Sequence, residues 1–315
     1  MRIIFCGTSE FAVPILKKIK TKTNWDVVLV VSEPTKSAWR QNLLSDSPVA
    51  QTAKELKLKL VTPKSIKDIT SDIADIKPDI AIVVAYGQIL PEDIIKIPKF
   101  KTVNIHPSLL PKLRGPSPIQ TALAQGLTET GVSLMLIDKK IDHGPVILQE
   151  SFLIGENENY LTLEYQLAQI GAAMLIRDLP KYILGKIKPQ EQNHGEATFT
   201  KLIKKEDGLI NWQKMPAEKV YNLWRAYIKW PGIHTFFKDR SGKSVRLKLI
   251  EIQPATSEVA SAKAGQIFTD GLKNLYFGCH TGAIKLIKLQ PEGSKVLTAN
   301  EFLNGYGYIA SQTLD

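Results

Sequence analysis

The chain has 315 residues, of which 43% are hydrophobic and 23% charged, and a formal net charge of +10. That length exceeds what a single core usually organises and points to two domains, while the composition excludes a largely disordered chain. Two distant cysteines, Cys6 and Cys279, exclude a disulfide scaffold and a cysteine zinc site; with no apolar run of the roughly 18–20 residues a membrane span needs, the expectation is a soluble, cytoplasmic, monomeric protein.

The first ninety residues alternate between strand and helix. Arg2–Cys6 reads as a short buried strand, Gly7-Thr8-Ser9 as a turn, and Glu10–Lys20 as a helix with Ser9 at its N-cap. Val27–Val31 is a second strand, Val49–Leu58 a helix and Leu60–Thr62 a short third strand. Ile80–Val84 is a continuous apolar run, as in parallel sheets covered on both faces. Thr102–His106, Val132–Ile137 and Val146–Phe152 are further strands, with a helix over Ile119–Gln125. The rhythm predicts an α/β, Rossmann-like, mostly parallel sheet with flanking helices.

Leu161–Leu184 reads as a long amphipathic helix, interrupted or ended by Pro180, so the first domain is expected to span 1–184. Residues 185–205 are polar, contain Pro189 and Gly195, and read as a linker. Over 206–315 the texture changes to short strands at Gly208–Trp212, Val245–Ile252, Gly265–Phe268, Leu275–Phe277 and Ala283–Leu289, with one helix at Ala217–Tyr227. That pattern predicts a small OB-like β-barrel. Residues 214–248 hold nine Lys/Arg against Glu218 and Asp239, a local excess that suits a polyanion such as RNA and equally suits a solvated lysine-rich face.

The segment 103–115 carries the chemistry. Residues two apart on a strand share a face, so Asn104 and His106 project together. Pro107 cannot donate to a ladder, so the strand ends at the sheet edge where such sheets bind ligands. An amide that stabilises an oxyanion and an imidazole that carries a proton suit acyl transfer. A carboxylate should orient the imidazole, and spacing favours Asp142 only modestly over Asp138. Gly7-Thr8-Ser9-Glu10-Phe11 lacks the G-x-G-x-x-G of a nicotinamide enzyme.

Asn104-Ile105-His106, Ser108-Leu109-Leu110-Pro111, Arg114-Gly115, Glu129-Thr130-Gly131-Val132 and Asp142-x-Gly144 together resemble the 10-formyltetrahydrofolate-dependent formyltransferases. Val84-Ala85-Tyr86-Gly87-x-Ile89-Leu90-Pro91 extends the resemblance, as do Ile210-x-Trp212 and Trp230-Pro231 beyond the linker. It is strongest to the branch acting on initiator methionyl-tRNA. The resemblance implies Asn104, His106 and Asp142 as the catalytic trio, and Tyr86, Gly87, Gln88, Ile89, Leu90, Ser108, Leu109, Leu110 and Pro111 around 10-formyltetrahydrofolate as formyl donor, with no metal. It also implies tRNA contacts at Trp39, Arg40 and Arg114, and at Lys243 and Arg246 in a tRNA-binding second domain. The chain departs from the pattern in three places. Trp39 and Gln41 stand where glycines are usual, Pro116-Ser117 replaces a pair of alanines, and Asp142-His143-Gly144-Pro145 is closer to the glycinamide ribonucleotide enzymes. Transfer to a nucleotide sugar or glycinamide ribonucleotide is the alternative substrate class, and a non-catalytic RNA-binding protein the alternative of another kind.

Overall fold

A computed structural model describes residues 1–34, 36–37, 44–255, 262–270 and 274–314. Two compact units are present: Met1–Pro118, Glu129–Ile154 and Leu163–Thr200 form the first, and Ile119–Thr128, Gly155–Thr162 and Lys201–Asp315 the second.

The chain runs β1 (Arg2–Gly7), a 3-10 turn at Glu10–Ala12, α1 (Val13–Lys22), β2 (Asp26–Val31) and a short hairpin, β3 (Lys36–Ser37) with β4 (Leu44–Ser45). It continues through α2 (Pro48–Glu55), β5 (Leu60–Val61), α3 (Thr70–Ile76), β6 (Ile80–Val84), α4 (Glu92–Lys96) and β7 (Thr102–His106). Then come α5 (Pro118–Gln125), β8 (Glu129–Leu136), β9 (Val146–Leu153) and the 24-residue α6 (Tyr160–Ile183). The seven-stranded sheet has the order β5-β2-β1-β6-β7-β8-β9. Its strands are parallel from β5 to β7, and β8 is antiparallel to both neighbours. The expected mostly parallel, Rossmann-like sheet is therefore present.

Every residue of β6 is buried, which is why its sequence is apolar without alternation. On one face Ile4, Cys6, Leu29, Val31, Ala81 and Val83 pack with Ile73, Ile94 and Ile95. Ile15, Leu16 and Ile19 of α1 are also fully buried. In α6 the buried positions Leu163, Leu167, Ala168, Ala172, Leu175 and Leu179 fall on one stripe. The helix passes through Pro180 to Ile183 and does not end there. Ser9 precedes the first turn in extended backbone but makes no side-chain cap.

The stretch expected as a linker over 185–205 is divided at Thr200. Gln190 exchanges two 2.8 Å backbone hydrogen bonds with Val146, and Arg114 is paired to Thr198 and Thr200 at 2.9 and 2.7 Å. Residues up to Thr200 thus belong to the first unit, because their polar backbone finds partners there.

In the second unit α7 (Ala217–Tyr227) precedes β10 (Ile233–Lys238), β11 (Ser244–Pro254), β12 (Ile267–Thr269), β13 (Leu275–Gly278), β14 (Ala283–Pro291), β15 (Leu297–Thr298) and α8 (Ala299–Tyr306). The strands form one antiparallel sheet, β10-β11-β14-β13-β12, with β15 on β14. Gly208–Trp212, expected as a strand, is instead the end of a 3-10 turn followed by a single bridge from Leu209 to His234. β10, whose Ile233-His234-Thr235-Phe236-Phe237 follows Trp230-Pro231-Gly232, takes the place of that strand in the sheet.

Trp212 anchors this unit. It is fully buried, donates Nε1–H to Thr235 Oγ1 at 2.9 Å, and meets the edge of Phe277. Trp212→Ala should lower the stability of this unit by about 3–5 kcal/mol, read as a shift of its urea-unfolding midpoint; an unshifted midpoint would remove Trp212 from the core.

Candidate active site

The chain leaves β1 towards β2 and β5 and returns through β6 towards β7, so the ends of β1 and β6 form the switch point where open α/β sheets take ligands. Thr8 closes the two ends: its N–H donates to Ala85 O at 3.2 Å and its Oγ1 to Tyr86 O at 2.6 Å. The Tyr86–Leu90 loop follows. Gly87 has φ +91°, which L side chains rarely adopt, and a Cβ there would lie 2.9 Å from the Glu33 carboxylate, so a side chain at this position would be strained. Ile89 is 75% exposed, whereas Leu90 lies in the core. Gln88 accepts from Ile66 N–H at 2.8 Å and holds the neighbouring turn. Tyr86, expected to line a pocket, is also in the core. Its hydroxyl has no partner among the described residues, and burial, then Cys6 and Glu33, push its pKa far above the usual tyrosine range.

At the end of β7 the side chains of Asn104 and His106 meet Asp142, which comes from the turn between β8 and β9. Asn104 Nδ2 donates to Asp142 Oδ1 at 3.4 Å, and His106 Nδ1 lies 3.6 Å from the same oxygen. Gly115 N–H donates to Asp142 Oδ2 at 2.8 Å. His106 Nε2 donates to the carbonyl of Leu113 at 3.0 Å, so the proton on the neutral ring sits on Nε2 and Nδ1 faces the carboxylate. Leu113 (φ 58°) and Asp142 (φ 48°) are both left-handed, a conformation that L residues adopt only when the surroundings hold them. Leu113 N–H is held by Thr198 Oγ1 at 2.8 Å.

The β8–β9 turn is what delivers Asp142. Leu136 N–H bonds Pro145 O at 2.8 Å, and Gly144 lies so close that a Cβ would meet Leu136 O at 2.2 Å. Asp138 faces elsewhere: it accepts from His143 Nδ1 at 2.7 Å and from Lys140 N–H at 2.8 Å. Of the two carboxylates left open by the sequence, Asp142 is the one beside Asn104 and His106.

The Ser108–Pro111 loop is pinned from below. Ser133 Oγ donates to Ser108 O at 2.6 Å and accepts from Leu110 N–H at 3.1 Å. Gln149 Nε2 reaches both Leu110 O and Ser133 Oγ at 2.8 Å. Ser108 Oγ closes the loop onto Lys112 O at 2.7 Å, and Leu109 packs on Gly131, where a Cβ would collide at 2.5 Å. Ser133 and Gln149 escape the sequence reading because each looks like an ordinary polar position on a strand.

The residues expected to touch tRNA divide three ways. Trp39 and Arg40 lie outside the described residues. Arg114 is 3% exposed: Nε and Nη2 donate to Gln192 Oε1 at 3.2 and 2.7 Å, and Nη2 donates to His194 Nδ1 at 2.9 Å. It is a buried internal tie, with three of its five N–H donors engaged in these bonds. Lys243 lies in an exposed turn with its N–H on Asp239 Oδ1 at 3.0 Å. Arg246 lies opposite Phe236 in the β10–β11 ladder, 3.6 Å from Glu292. Lys248 stands opposite His234, and burial together with Arg246, Lys205 and Lys248 lowers the pKa of that histidine.

Among the described residues no three His, Cys, Asp or Glu are grouped to hold a metal ion, and no helix is long and apolar enough to cross a membrane. The Formyl transferase family matches residues 1–179 and the Formyl transferase C-terminal domain residues 202–307. The chain belongs to the formyl transferase family, whose members are one-carbon group transferases. Among sequence relatives it is 38% identical over 305 residues to the methionyl-tRNA formyltransferase of Thermodesulfovibrio yellowstonii, covering 96% of this chain and 95% of that one. To the protein of the same name from Caldanaerobacter subterraneus subsp. tengcongensis it is 36% identical over 309 residues, 97% of each.

Solved structures share the fold at lower identity. WlaRD, a sugar 3N-formyl transferase solved with dTDP and 5-N-formyl-THF, superposes with a TM-score of 0.65 at 20% identity, over 94% of this chain and 99% of that one. HypX from Aquifex aeolicus, solved with tetrahydrofolic acid, gives 0.63 at 18% identity; the chain aligns over 99% of its length but spans 48% of HypX.

His194 supplies a pH test of the site's outer layer. It stacks on His143 at 3.9 Å and accepts from Arg114, and desolvation, then His143 and Arg114, lower its pKa below 6.5. A histidine pKa depressed on folding means the neutral form is favoured: the contribution is present above 6.5 and is lost as pH falls through the folded pKa. An NMR titration should place the His194 midpoint below 6.5, and a midpoint above it would contradict the Arg114 contact.

Proposed function

We propose that the protein transfers the formyl group of 10-formyltetrahydrofolate to the α-amine of methionine on initiator methionyl-tRNA, giving formylmethionyl-tRNA for translation initiation. The observation that carries this reading is the convergence of Asn104, His106 and Asp142 at the end of β7, in a chain that relatives named methionyl-tRNA formyltransferase match over nearly its full length.

The chemistry sets modest demands. An α-amine has a pKa near 8 and the ester lowers it further, so the nucleophile is largely neutral without a strong base. It attacks the formyl carbon, the carbonyl oxygen becomes an oxyanion, and the bond to the carrier nitrogen breaks as the attacking nitrogen's proton passes to the leaving one. Asn104 Nδ2 is the donor placed for the oxyanion. His106, bearing a second proton on Nδ1, adds a positive charge beside it. Asp142 orients both and passes the proton between the nitrogens, directly or through water. The separations of 3.4 and 3.6 Å around Asp142 Oδ1 leave room for these contacts to shorten when substrate binds.

The residues at the switch point fit a folate donor. Exposed Ile89 and the side-chain-free surface of Gly87 offer apolar and close-approach contact, beside a polar trio at the sheet edge. The tRNA reading draws on the second unit, where exposed Phe236 stands in register with Arg246, and Lys248 with His234, on a ladder that also carries Lys238. A nucleotide-sugar acceptor is the rival, and it leaves that basic sheet without a role.

Transfer of labelled formate from 10-formyltetrahydrofolate to a panel of charged initiator tRNA, glycinamide ribonucleotide and dTDP-amino sugars decides between them. Methionyl-tRNA is expected to be the efficient acceptor; preference for an amino sugar would overturn the assignment. Asn104→Ala, His106→Ala and Asp142→Ala should each lower turnover by at least about a hundredfold with folate KM little changed, whereas Asp138→Ala should cost far less; the reverse ranking of the aspartates would displace Asp142.

A further inference from the structure

Residues 185–200 contain no regular element beyond a 3-10 turn at His194–Glu196, yet Gln192 within them is 8% exposed. A primary amide has two acceptor lone pairs and two N–H donors, and Gln192 uses all four. Oε1 accepts from Arg114 Nε and Nη2 at 3.2 and 2.7 Å. Nε2 donates to Asp142 O at 3.0 Å and to Gly144 O at 2.7 Å. A guanidinium only donates and a carbonyl only accepts, so a single orientation of the amide satisfies both sides.

Asp142 needs such a tie. Its backbone is left-handed, and relaxation to the right-handed region would swing the carboxylate away from Asn104 and His106. Gly115 N–H and Asn104 hold the head of the side chain. The main chain behind it is held by Gln192, which binds the carbonyls on both sides of His143. The other end of the amide rests on Arg114, whose own backbone is paired with Thr198 and Thr200.

We infer that Gln192 is a positioning residue for formyl transfer: its two N–H donors hold the Asp142–Gly144 backbone in the conformation that presents the Asp142 carboxylate to Asn104 and His106. This rests on the reading of Asp142 as part of the transfer site. Gln192 touches no reacting atom in this role, so its loss should act on turnover through Asp142 and leave substrate affinity nearly unchanged.

The test uses the full chain with 10-formyltetrahydrofolate and methionyl-tRNA. Gln192→Glu keeps an oxygen for Arg114 and sets a second, charged oxygen against the two carbonyls, so the acceptor half is kept and the donor half is replaced by repulsion. Its kcat should fall about ten- to a hundredfold, the scale of an ångström-level misplacement, with both KM values within about twofold of wild type. A double-mutant cycle separates positioning from general damage. If Gln192 acts through Asp142, Gln192→Glu added to Asp142→Asn should slow that variant by no more than about twofold.

Full kcat in a folded Gln192→Glu protein would overturn the inference, and so would losses that multiply in the double variant. A wild-type rate in Asp142→Asn would instead remove Asp142 from the site and the inference with it. Should Gln192→Glu not be recovered folded, the same comparison in Gln192→Leu decides by the same outcomes.

Discussion

The carboxylate of Asp142 is the constraint on which the site depends. One group collects the Gly115 amide at 2.8 Å, the Asn104 amide at 3.4 Å and His106 Nδ1 at 3.6 Å. The last two are long, and the geometry exists because separate pieces of backbone are locked around the carboxylate. The Gly144 approach to Leu136 shapes the turn from one side, and the left-handed Leu113 turns its carbonyl onto His106 Nε2 from the other. Strain at Leu113 and Asp142 is tolerated because a hydrogen bond from Leu113 N–H to Thr198 and one from Gln192 to the Asp142 carbonyl over-determine both conformations.

The same logic explains why three polar groups meet on this edge of the sheet. β6 and β7 are rigid because they are nearly all buried, and His106 is the last residue before Pro107 takes the chain out of the ladder. The Ser133–Gln149 pair then fixes the following loop from beneath. A stiff strand end, a pinned loop and a tied turn give three polar groups a common focus without any of them being on a long flexible element.

Much of this was legible in the sequence. Apolar continuity located β6 to the residue, the expected strand Thr102–His106 coincides with β7, and the period of two put Asn104 and His106 on one face. The shorter α3 and α4 were not visible, because five to seven residues give too little periodicity. Gln192 was invisible for a different reason: a polar residue in a polar stretch carries no sign of the partners that bury it. The burial of Arg114, which the resemblance places against tRNA, was equally invisible, since its partners Gln192 and His194 arrive from 78 and 80 residues away. In the second unit Gly208–Trp212 had strand composition, but Trp212 is committed to the core through Thr235 and Phe277, and β10 supplies the pairing strand.

The proposed placing of Asn104, His106 and Asp142 around the reacting carbon is tested most directly by a crystal structure of the full chain with 5-formyltetrahydrofolate, a stable relative of the donor. The carrier is expected at the β1–β6 switch point with N10 facing the trio, so that a formyl oxygen placed there comes within about 3–3.5 Å of Asn104 Nδ2. A carrier bound with N10 turned away from Asp142, or seated outside the loops that follow β6 and β7, would contradict it.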